Sequence, residues 1–273
     1  MRIPKKNQPV LLFILFCSFY FNESFSDELI KNSVVNIHRS EENRKRDVYR
    51  NPQETLIFFG IKKDMNVLEI LPGKGYYTEI LGNLLKDNGK LTVASFGEKI
   101  RKKNKVLRSI HNNFQEYFSR NKDLFGEINI KSFNSNGILN EMPDSSFDMV
   151  LTFRNTHNWI RMGVEKKVYR AIHRVLKKGG VLGIVQHRGE DLHNHVDTAK
   201  KGYVPEKYLI NLIKELDFEF ISKSEINSNS LDIKNYKEGV WTLPPTLRLK
   251  DVNRKKYLAI GESDRMTLKF EKK

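Results

Sequence analysis

Apolar and polar positions alternate along the chain in a repeated strand–helix order. An apolar run from Met65 to Leu71 carries a single acid, Glu69, and breaks at the glycine turn of residues 72–75. Apolar residues then recur at helical spacing over residues 77–85. Because an extended apolar run precedes the turn and a helical period follows it, the pattern predicts the first βα unit of a Rossmann-like sheet.

The same alternation continues to the end of the chain. Further strands are predicted at residues 91–96, 128–133, 147–153, 181–185, 218–226 and 266–270. Helices are predicted between them, including a long one with a basic start that runs to about Arg120, one at residues 164–176 and one at residues 205–216. This order predicts an α/β fold, a Rossmann-like, doubly wound, mostly parallel seven-stranded sheet with helices on both faces and an antiparallel last strand.

Two segments are predicted to have a different organisation from the repeated strand–helix units. Residues 27–60 form an N-terminal helical segment, in which Asn51-Pro52 ends one helix and begins another. Residues 61–273 form the α/β domain. Within it, residues 227–263 form an irregular insertion before the last strand.

The N-terminus has the pattern of a secretory signal peptide over residues 1–26. Basic Arg2, Lys5 and Lys6 precede an apolar stretch, Val10–Phe21, and small residues follow around Ser24. The stretch is short for a membrane span, which needs about 20 residues. The prediction is a periplasmic or secreted protein, and an uncleaved membrane anchor is the alternative. The only cysteine lies in this segment, so the mature chain has neither a disulfide nor a catalytic thiol.

The chain is basic. It carries 48 lysines and arginines against 33 acidic residues, for a formal charge of +15. Such a surface favours anionic partners. An exported chain rarely meets nucleic acid, and the sequence has no aromatic-basic motif of the RNA-binding kind. The charge therefore predicts contact with an anionic membrane surface or envelope polymer rather than with nucleic acid.

The glycine turn limits which cofactor the first unit can bind. Gly73 and Gly75 lack a Cβ, so a ligand can approach the backbone closely, and Glu69 can receive a cationic or hydrogen-bond-donating group. A nicotinamide site would have a third glycine and an acid after the second strand. Thr78 and Ser95 stand at those positions. A nicotinamide-dependent oxidoreductase is therefore disfavoured.

Three motifs resemble those of the class I S-adenosylmethionine-dependent methyltransferases. They are the acid and glycine loop (Glu69, Gly73 and Gly75), the F-D-x-V strand at residues 147–150, and the L-K-x-G-G-x-L turn at residues 176–182. More closely, the chain resembles a family of predicted bacterial methyltransferases that often carry signal peptides. That resemblance covers about residues 46–270 and rests on specific strings at residues 72–81, 152–159, 186–188, 202–204, 224–229, 239–245 and 260–268.

The resemblance implies S-adenosylmethionine as cofactor and a set of binding residues for it. The set is Glu69, Gly73, Gly75, Tyr76, Ser95, Asn134 and Asn155. Tyr76 or Trp159 would offer an aromatic face to the sulfonium cation. The chain departs from the general pattern at two binding positions. Leu71 replaces the first glycine, and Ser95 replaces the acid that grips the ribose. Asn134 or Asn136 is left to bind the adenine.

Polar residues leave the fourth and fifth predicted strands at the edge where open α/β sheets bind ligands. His157 is the candidate base for removing a proton from the methyl acceptor, with Asn155 and Asn158 as orienting groups. His187 and Arg188 are expected beside it, and either could bind an anionic substrate group. The alternative is that Arg154 and His157 only tie their loop down by hydrogen bonds.

Other polar clusters admit two interpretations each. His187, His193 and His195 have loose spacing for metal ligands, so no metal site is predicted. Glu262, Asp264 and Arg265 form either a salt-bridged clasp or an acid pair facing the substrate. The segment of Trp241 and Pro244-Pro245 is either a lid over the cleft or an apolar plug.

The leading hypothesis is an exported methyltransferase that uses S-adenosylmethionine to methylate a small or envelope-associated acceptor. Export separates such an enzyme from the cytoplasmic cofactor pool. The alternative is therefore a non-catalytic or repurposed ligand-binding protein with a methyltransferase fold.

Overall fold

The computed structural model describes residues 26–134 and 138–273. Residues 1–25 of the predicted signal peptide, as well as Asn136, lie outside the described residues. Across the two described ranges, no helix is both long and apolar enough to cross a bilayer.

Eight strands and thirteen α-helices are described. The strands are β1 (Asn66–Ile70), β2 (Lys90–Phe96), β3 (Ile128–Phe133), β4 (Phe147–Phe153), β5 (Leu176–Gly189), β6 (Val204–Pro205), β7 (Phe218–Ser224) and β8 (Arg265–Lys272). The helices of the first half are α1 (26–35), α2 (Glu41–Arg44), α3 (Asp47–Arg50), α4 (Pro52–Phe59), α5 (Tyr76–Leu85), α6 (Glu98–Lys103), α7 (Lys105–Arg120) and α8 (Lys122–Phe125). Those of the second half are α9 (Thr156–Arg161), α10 (Glu165–Val175), α11 (His195–Lys200), α12 (Glu206–Lys214) and α13 (Arg254–Ile260), with a 3₁₀ turn at Gly239–Thr242.

The sheet has the order β3-β2-β1-β4-β5-β8-β7, which confirms the predicted fold class. Strands β1 to β5 are parallel, and β8 lies antiparallel between β5 and β7. The two-residue β6 pairs with the end of β5, so the sheet has eight strands rather than seven.

Both faces of the sheet are covered by apolar side chains, as expected for parallel strands between two helical layers. Successive strand residues point to opposite faces. Leu68 packs in the apolar cluster on one face and Val67 in the cluster on the other. The carboxylate of Glu69 therefore shares the face of Val67 and is only 1% exposed.

The structure corrects several predicted boundaries. The single helix predicted to end near Arg120 is two helices, because the Asn104 side chain accepts hydrogen bonds from the backbone N–H groups of Val106 and Leu107 and starts α7 anew. The predicted irregular insertion contains the 3₁₀ turn and α13. Strand β5 starts at Leu176 rather than residue 181, since α10 ends at Val175 and the backbone is already extended at the next residue.

Candidate functional site

A cavity of about 300 Å³ opens at the carboxyl ends of β1, β4 and β5. Ligands of open α/β sheets bind at this edge. Its inner wall comes from the loops that leave these strands, and the N-terminal segment and residues 240–246 contribute the outer wall. The lining residues used below are Arg46, Glu69, Leu71, Gly73, Tyr76, Arg154, Asn155, His157, Asn158, His187, Trp241, Glu262 and Ser263.

Glu69 provides a buried carboxyl group to the cavity. It accepts a hydrogen bond from the Thr78 hydroxyl at 2.6 Å, so it also anchors the first turn of α5. Burial raises the pKa of Glu69 to about 7, against the opposing effects of the Thr78 hydrogen bond and the Arg154 charge. Near neutral pH this carboxyl group is close to its titration midpoint.

The glycine loop after β1 has one open position and one closed position. A Cβ on Gly73 would have no atom within 4 Å, whereas a Cβ on Gly75 would lie 2.7 Å from the Phe118 ring of α7. Gly73 lines the cavity and Gly75 does not. Leu71 has a φ of +50° and thus keeps the left-handed backbone that a glycine would adopt at this position.

Ser95 and Asn134 are held by other parts of the chain. The Ser95 hydroxyl lies 2.8 Å from Nδ1 of His111 on α7, and both residues are buried. Asn134 packs on Gly97 so closely that a Cβ there would lie 1.8 Å from the amide oxygen. Neither Ser95 nor Asn134 lines the cavity near Glu69.

Asn155 ties the loop after β4 to the loop after β1. Its amide donates hydrogen bonds to the Ile70 carbonyl at 2.9 Å and to the Thr152 hydroxyl at 3.2 Å. The residue is buried and lines the cavity. Its contacts make it a residue that sets the distance between the two loops.

Arg154 brings a cationic group into the cavity. Its φ of +63° turns the chain sharply at the end of β4, where its N–H donates to the Val185 carbonyl. Its guanidinium forms no ion pair within 4.0 Å and no hydrogen bond with any described residue. Burial, followed by the charge of Arg50, lowers its pKa well below the usual range for arginine.

The hydrogen bonds of Gln186 define the protonation of His157. The Gln186 amide oxygen accepts the Thr156 N–H at 3.1 Å, so the amide NH₂ faces Nδ1 of His157 at 3.2 Å. Burial lowers the pKa of His157 to about 4, so the ring is neutral at pH 7. With Nδ1 accepting, the proton sits on Nε2. His157 is therefore a hydrogen-bond donor in this arrangement, whereas the prediction was a base.

His187 lies next to His157, as predicted for two neighbouring strands. The ring centroids are 5.7 Å apart, and Nδ1 of His187 lies 2.5 Å from the Ser263 hydroxyl oxygen. Burial and then the neighbouring His157 lower the pKa of His187 well below its usual range. When its Nδ1–H donates to Ser263, Nε2 keeps a free lone pair that can accept a proton.

Arg188 has a different environment from the predicted one. Its guanidinium contacts carboxylates of Glu206 at 3.2 Å, Glu225 at 2.6 Å and Asp264 at 2.9 Å. These hydrogen bonds raise its pKa, and the side chain does not line the cavity. Arg188 therefore ties the end of β5 to α12, to the residue that follows β7 and to the residue that precedes β8. The cation at the cavity edge is Arg154, whereas the prediction was Arg188.

Glu262 is the centre of a buried ion cluster, as the clasp interpretation predicts. Its carboxylate receives Arg46 at 2.7 Å, Arg50 at 3.2 Å and Arg265 at 3.0 Å. Burial opposes its ionisation, but the charges of Arg50, Arg265 and Arg46 outweigh burial and lower the pKa to about 2. The cluster connects the N-terminal segment to β8.

The prediction left open whether Trp241 belongs to a lid over the cavity or to an apolar plug. It lines the cavity, and its ring lies 5.9 Å from that of His157. Tyr76 also lines the cavity, but Arg50 covers its ring at 4.3 Å and its hydroxyl donates to Asp47. Trp159 is buried against Phe133 and does not reach the cavity.

The described residues contain no group of three His, Cys, Asp or Glu side chains placed to hold a metal ion. His195 instead stacks on Tyr208, with ring centroids 3.8 Å apart.

Sequence reasoning missed Arg46, Gln186 and Ser263 as neighbours of the site. Arg46 and Arg50 lie four residues apart, which places them on one helical face, but no sequence signal links that face to the cavity. Gln186 directly precedes His187, and its role emerges only from the hydrogen bonds that it makes to Thr156 and His157.

Comparison with known proteins finds a known domain family in the chain and similar folds among solved structures. The family described as "Methyltransferase domain" matches residues 68–184. Among solved structures, a SAM-dependent methyltransferase from Aquifex aeolicus is 18% identical with a TM-score of 0.53, and the match covers 67% of this chain and 87% of that one. A SAM-dependent methyltransferase from Methanosarcina mazei is 15% identical, with a TM-score of 0.50 and coverage of 80% and 96%.

A third structural neighbour has a different chemistry. The [4+2]-cyclase SpnF is 14% identical, with a TM-score of 0.58 and coverage of 92% of this chain and 94% of that one. At these identities the similarities show the fold. A search of curated protein sequences found no match.

The domain match implies S-adenosylmethionine as cofactor, and the cavity residues fit its amino-acid end. The open backbone at Gly73 leaves space for a ligand, and the Glu69 carboxylate can receive an ammonium group. At the end of β2, Ser95 offers a hydroxyl bonded to His111 in place of a free acid. Residues 68–184 thus match a methyltransferase domain, and the strand order gives this domain the Rossmann-like fold of its structural neighbours.

Proposed function

We propose that the protein is an exported methyltransferase that methylates a small or envelope-associated acceptor. One observation carries this proposal: the cavity brings the Glu69 carboxyl group and the open Gly73 backbone together with two neutral imidazoles, His157 and His187. Groups suited to binding the cofactor (Glu69 and Gly73) and groups able to donate or accept a proton (His157 and His187) therefore line the same cavity.

When bound, S-adenosylmethionine supplies a methyl group on a sulfonium sulfur and leaves as a thioether. In the proposed reaction the methyl carbon–sulfur bond breaks as the bond to an acceptor oxygen or nitrogen forms. In-line displacement needs mainly a positioned acceptor and a group that takes its proton. The N–H of His157 orients the acceptor, and Nε2 of His187 takes the proton while Ser263 holds Nδ1.

The test is release of S-adenosylhomocysteine from labelled cofactor in the presence of envelope extract or small-molecule acceptor pools. His187→Ala should lower the rate by about 100-fold, which is typical for loss of a general base. Asn158→Ala should have a smaller effect. His38→Ala, at an exposed position outside the cavity, is the control and should leave the rate unchanged. Equal rates for His187→Ala and the control protein would contradict the role of His187.

Export is part of the proposal and rests on the N-terminal pattern of residues 1–26. A mature N-terminus at Asp27 in the periplasmic or secreted fraction is the expected result of N-terminal sequencing. A full-length protein that stays soluble in the cytoplasm would contradict export.

The basic surface supports contact with anionic envelope material as a further part of the proposal. The exposed cations of α6 and the start of α7 are Lys99, Lys102, Lys103, Lys105 and Arg108. Binding to anionic vesicles should weaken as salt increases, because exposed charges are screened. Salt-independent binding would contradict an electrostatic contact.

The second candidate is a ligand-binding or repurposed protein on the same fold. The Ser95–His111 pair favours it, because a hydroxyl hydrogen-bonded to His111 stands on β2 where a ribose-binding acid is expected. The cyclase among the structural neighbours has the same fold. Absence of S-adenosylmethionine binding would favour this candidate over the enzyme.

A further inference from the structure

Cationic groups outnumber anionic ones on one side of the cavity. Arg46 and Arg154 line it, and Arg50 and Arg265 stand directly behind the lining residue Glu262. Arg50, Glu262, Arg46 and Arg265 all act electrostatically on Arg154. Four guanidinium groups thus accompany the carboxylate of Glu262, and the charge of Arg154 also acts on Glu69. We call the four arginines and Glu262 the arginine cluster.

Several donors of the arginine cluster have no hydrogen-bond partner. Arg50 is 1% exposed, and neither Nη1 nor Nη2 has a partner among the described residues. The same is true of the buried Nη2 of Arg46. Arg154 makes no ion pair with described residues, although it lines the cavity.

Buried charges and unsatisfied donors are costly for the folded protein. A buried donor without a partner destabilises the folded state, and more so when it is charged. An ion cluster with excess positive charge is further destabilised because like charges repel at short range. The left-handed backbone at Arg154 is a further cost. Binding of an anion would offset these costs, because it would accept hydrogen bonds from the unpartnered donors and reduce the net positive charge of the cluster.

We propose that the arginine cluster binds an anionic oxygen group, a carboxylate or a phosphate, carried by the methyl acceptor. Guanidinium groups suit both because their planar donors match paired oxygens. The Glu262 carboxylate occupies one side of the cluster and holds Arg46 and Arg50 in place, while Arg154 lines the cavity. The cluster faces the same cavity as His157 and His187, so the anion would anchor the acceptor beside the imidazoles.

The assignment of a substrate class to this cavity rests on the proposed function. The cofactor also carries a carboxylate, which is the competing source of an anion. Arg46, Arg50 and Arg265 each keep a buried donor without a partner among the described residues, and together with Arg154 they exceed what one carboxylate of the amino-acid end requires. The experiment must therefore separate the two anions.

The experiment is calorimetric titration of the full chain with inorganic phosphate and with acetate at constant ionic strength, with and without saturating S-adenosylhomocysteine. That product carries the cofactor's own carboxylate. We expect at least one of the two anions to bind while the product is bound. Arg154→Gln should weaken anion binding by at least about tenfold, since charged hydrogen bonds contribute about 1.5–3 kcal/mol. The affinity for S-adenosylhomocysteine should change less than about twofold if Arg154 does not contact it.

Two further variants complete the design. Arg46→Gln removes a cation of the same cluster at a partly exposed position. It replaces Arg154→Gln as the test variant if Arg154→Gln melts at a lower temperature than the wild type. Arg170→Gln removes the same charge from an exposed position of α10, outside the cavity and outside the basic surface of α6 and α7, and should leave anion binding unchanged.

The outcomes separate the inference from the proposed function. Mutual exclusion of phosphate or acetate and S-adenosylhomocysteine, or a loss of S-adenosylhomocysteine affinity alone in Arg154→Gln, would overturn the inference and assign the arginines to the cofactor. Product binding without any anion binding would also overturn it, while leaving the methyltransferase proposal intact. Arginine-dependent anion binding without product binding would support the anion site and count against the enzyme.

Discussion

At the cavity, Glu69 is an acid on a strand face that is otherwise apolar, and its exposed fraction is 1%. Burial raises its pKa from 4.5 to about 7. Below pH 4.5 the group is protonated in both the folded and the unfolded chain. As the pH rises toward 7, the unfolded chain loses the proton while the folded chain keeps it, so the stability contributed by this group falls and is lost above pH 7.

Glu69→Gln should therefore stabilise the protein without ligand at pH 8 and leave its stability nearly unchanged at pH 4.5. The expected gain is about 3 kcal/mol, because each unit of pKa difference corresponds to about 1.4 kcal/mol. The glutamine oxygen can still accept the Thr78 hydroxyl. Urea denaturation at the two pH values measures the difference. Destabilisation at pH 8 would contradict the assigned pKa shift. The same variant should bind S-adenosylmethionine more weakly, since it lacks the charge that receives the ammonium group.

At the scale of elements, α7 closes one side of the glycine loop. Phe114 and Phe118 pack on Gly75, and His111 bonds to Ser95. This packing leaves Gly73 as the open position of the loop. The two glycines thus have similar left-handed backbones but different surroundings, with φ values of +64° at Gly73 and +89° at Gly75.

The pair provides a matched test. Gly73→Ala should lower the free energy of unfolding by about 1–2 kcal/mol, the cost of a left-handed alanine alone. Gly75→Ala carries the same backbone cost plus a clash with Phe118, for a total of about 3–5 kcal/mol. Thermal and urea unfolding measure both variants. Cofactor affinity should fall in Gly73→Ala, which stays folded. Equal destabilisation by the two variants would contradict the packing of α7 on Gly75.

The elements themselves were largely predictable from the sequence. Strands β3 and β4 begin and end where the apolar pattern places them. Strand β4 is buried on both faces and is a nearly continuous apolar run, whereas β3 is partly exposed and is marked by Ile128, Ile130 and Phe133. The break at Asn104 was missed because an N-cap within a polar, basic stretch does not change the hydrophobic period. Strand β6 was missed because two residues show no periodicity.

The site was less predictable than the fold for a physical reason. The acid and glycine loop follow from local geometry, so Glu69 and Gly73 were found. The partners of an arginine depend on the whole fold, however. Arg188 was predicted to face a ligand but meets Glu225 and Asp264, whereas Arg154 has no ion-pair partner in the part of the chain that the structure describes. Similarly, the tautomer of His157 depends on an amide from the neighbouring strand.

For the molecule as a whole, the arginine cluster joins parts that are far apart in sequence. Arg46 and Arg50 lie 216 and 212 residues before Glu262. The pKa of Glu262 falls from 4.5 to about 2 because its arginine neighbours outweigh burial. A lowered acid pKa stabilises the fold above pH 4.5, and this contribution is lost as the pH falls toward 2.

Glu262→Gln should destabilise the protein by about 3–5 kcal/mol at pH 7, because it leaves buried guanidinium groups without their carboxylate. The difference from wild type should shrink as the pH falls from 4.5 toward 2. Glu116→Gln removes an acid from an exposed pair with Arg120 and should cost less than about 1 kcal/mol at either pH. Urea denaturation curves of the three proteins at pH 7 and near pH 3 provide the comparison. A pH-independent difference would contradict the assigned pKa.

We infer that the cavity at the ends of β1, β4 and β5 binds S-adenosylmethionine. Calorimetric titration of the protein with S-adenosylmethionine and S-adenosylhomocysteine is the test. We expect saturable binding of both ligands at one site per chain, with weaker binding in Gly73→Ala and Glu69→Gln and unchanged binding in Arg170→Gln. Absence of binding at millimolar ligand, or full affinity in both cavity variants, would contradict it.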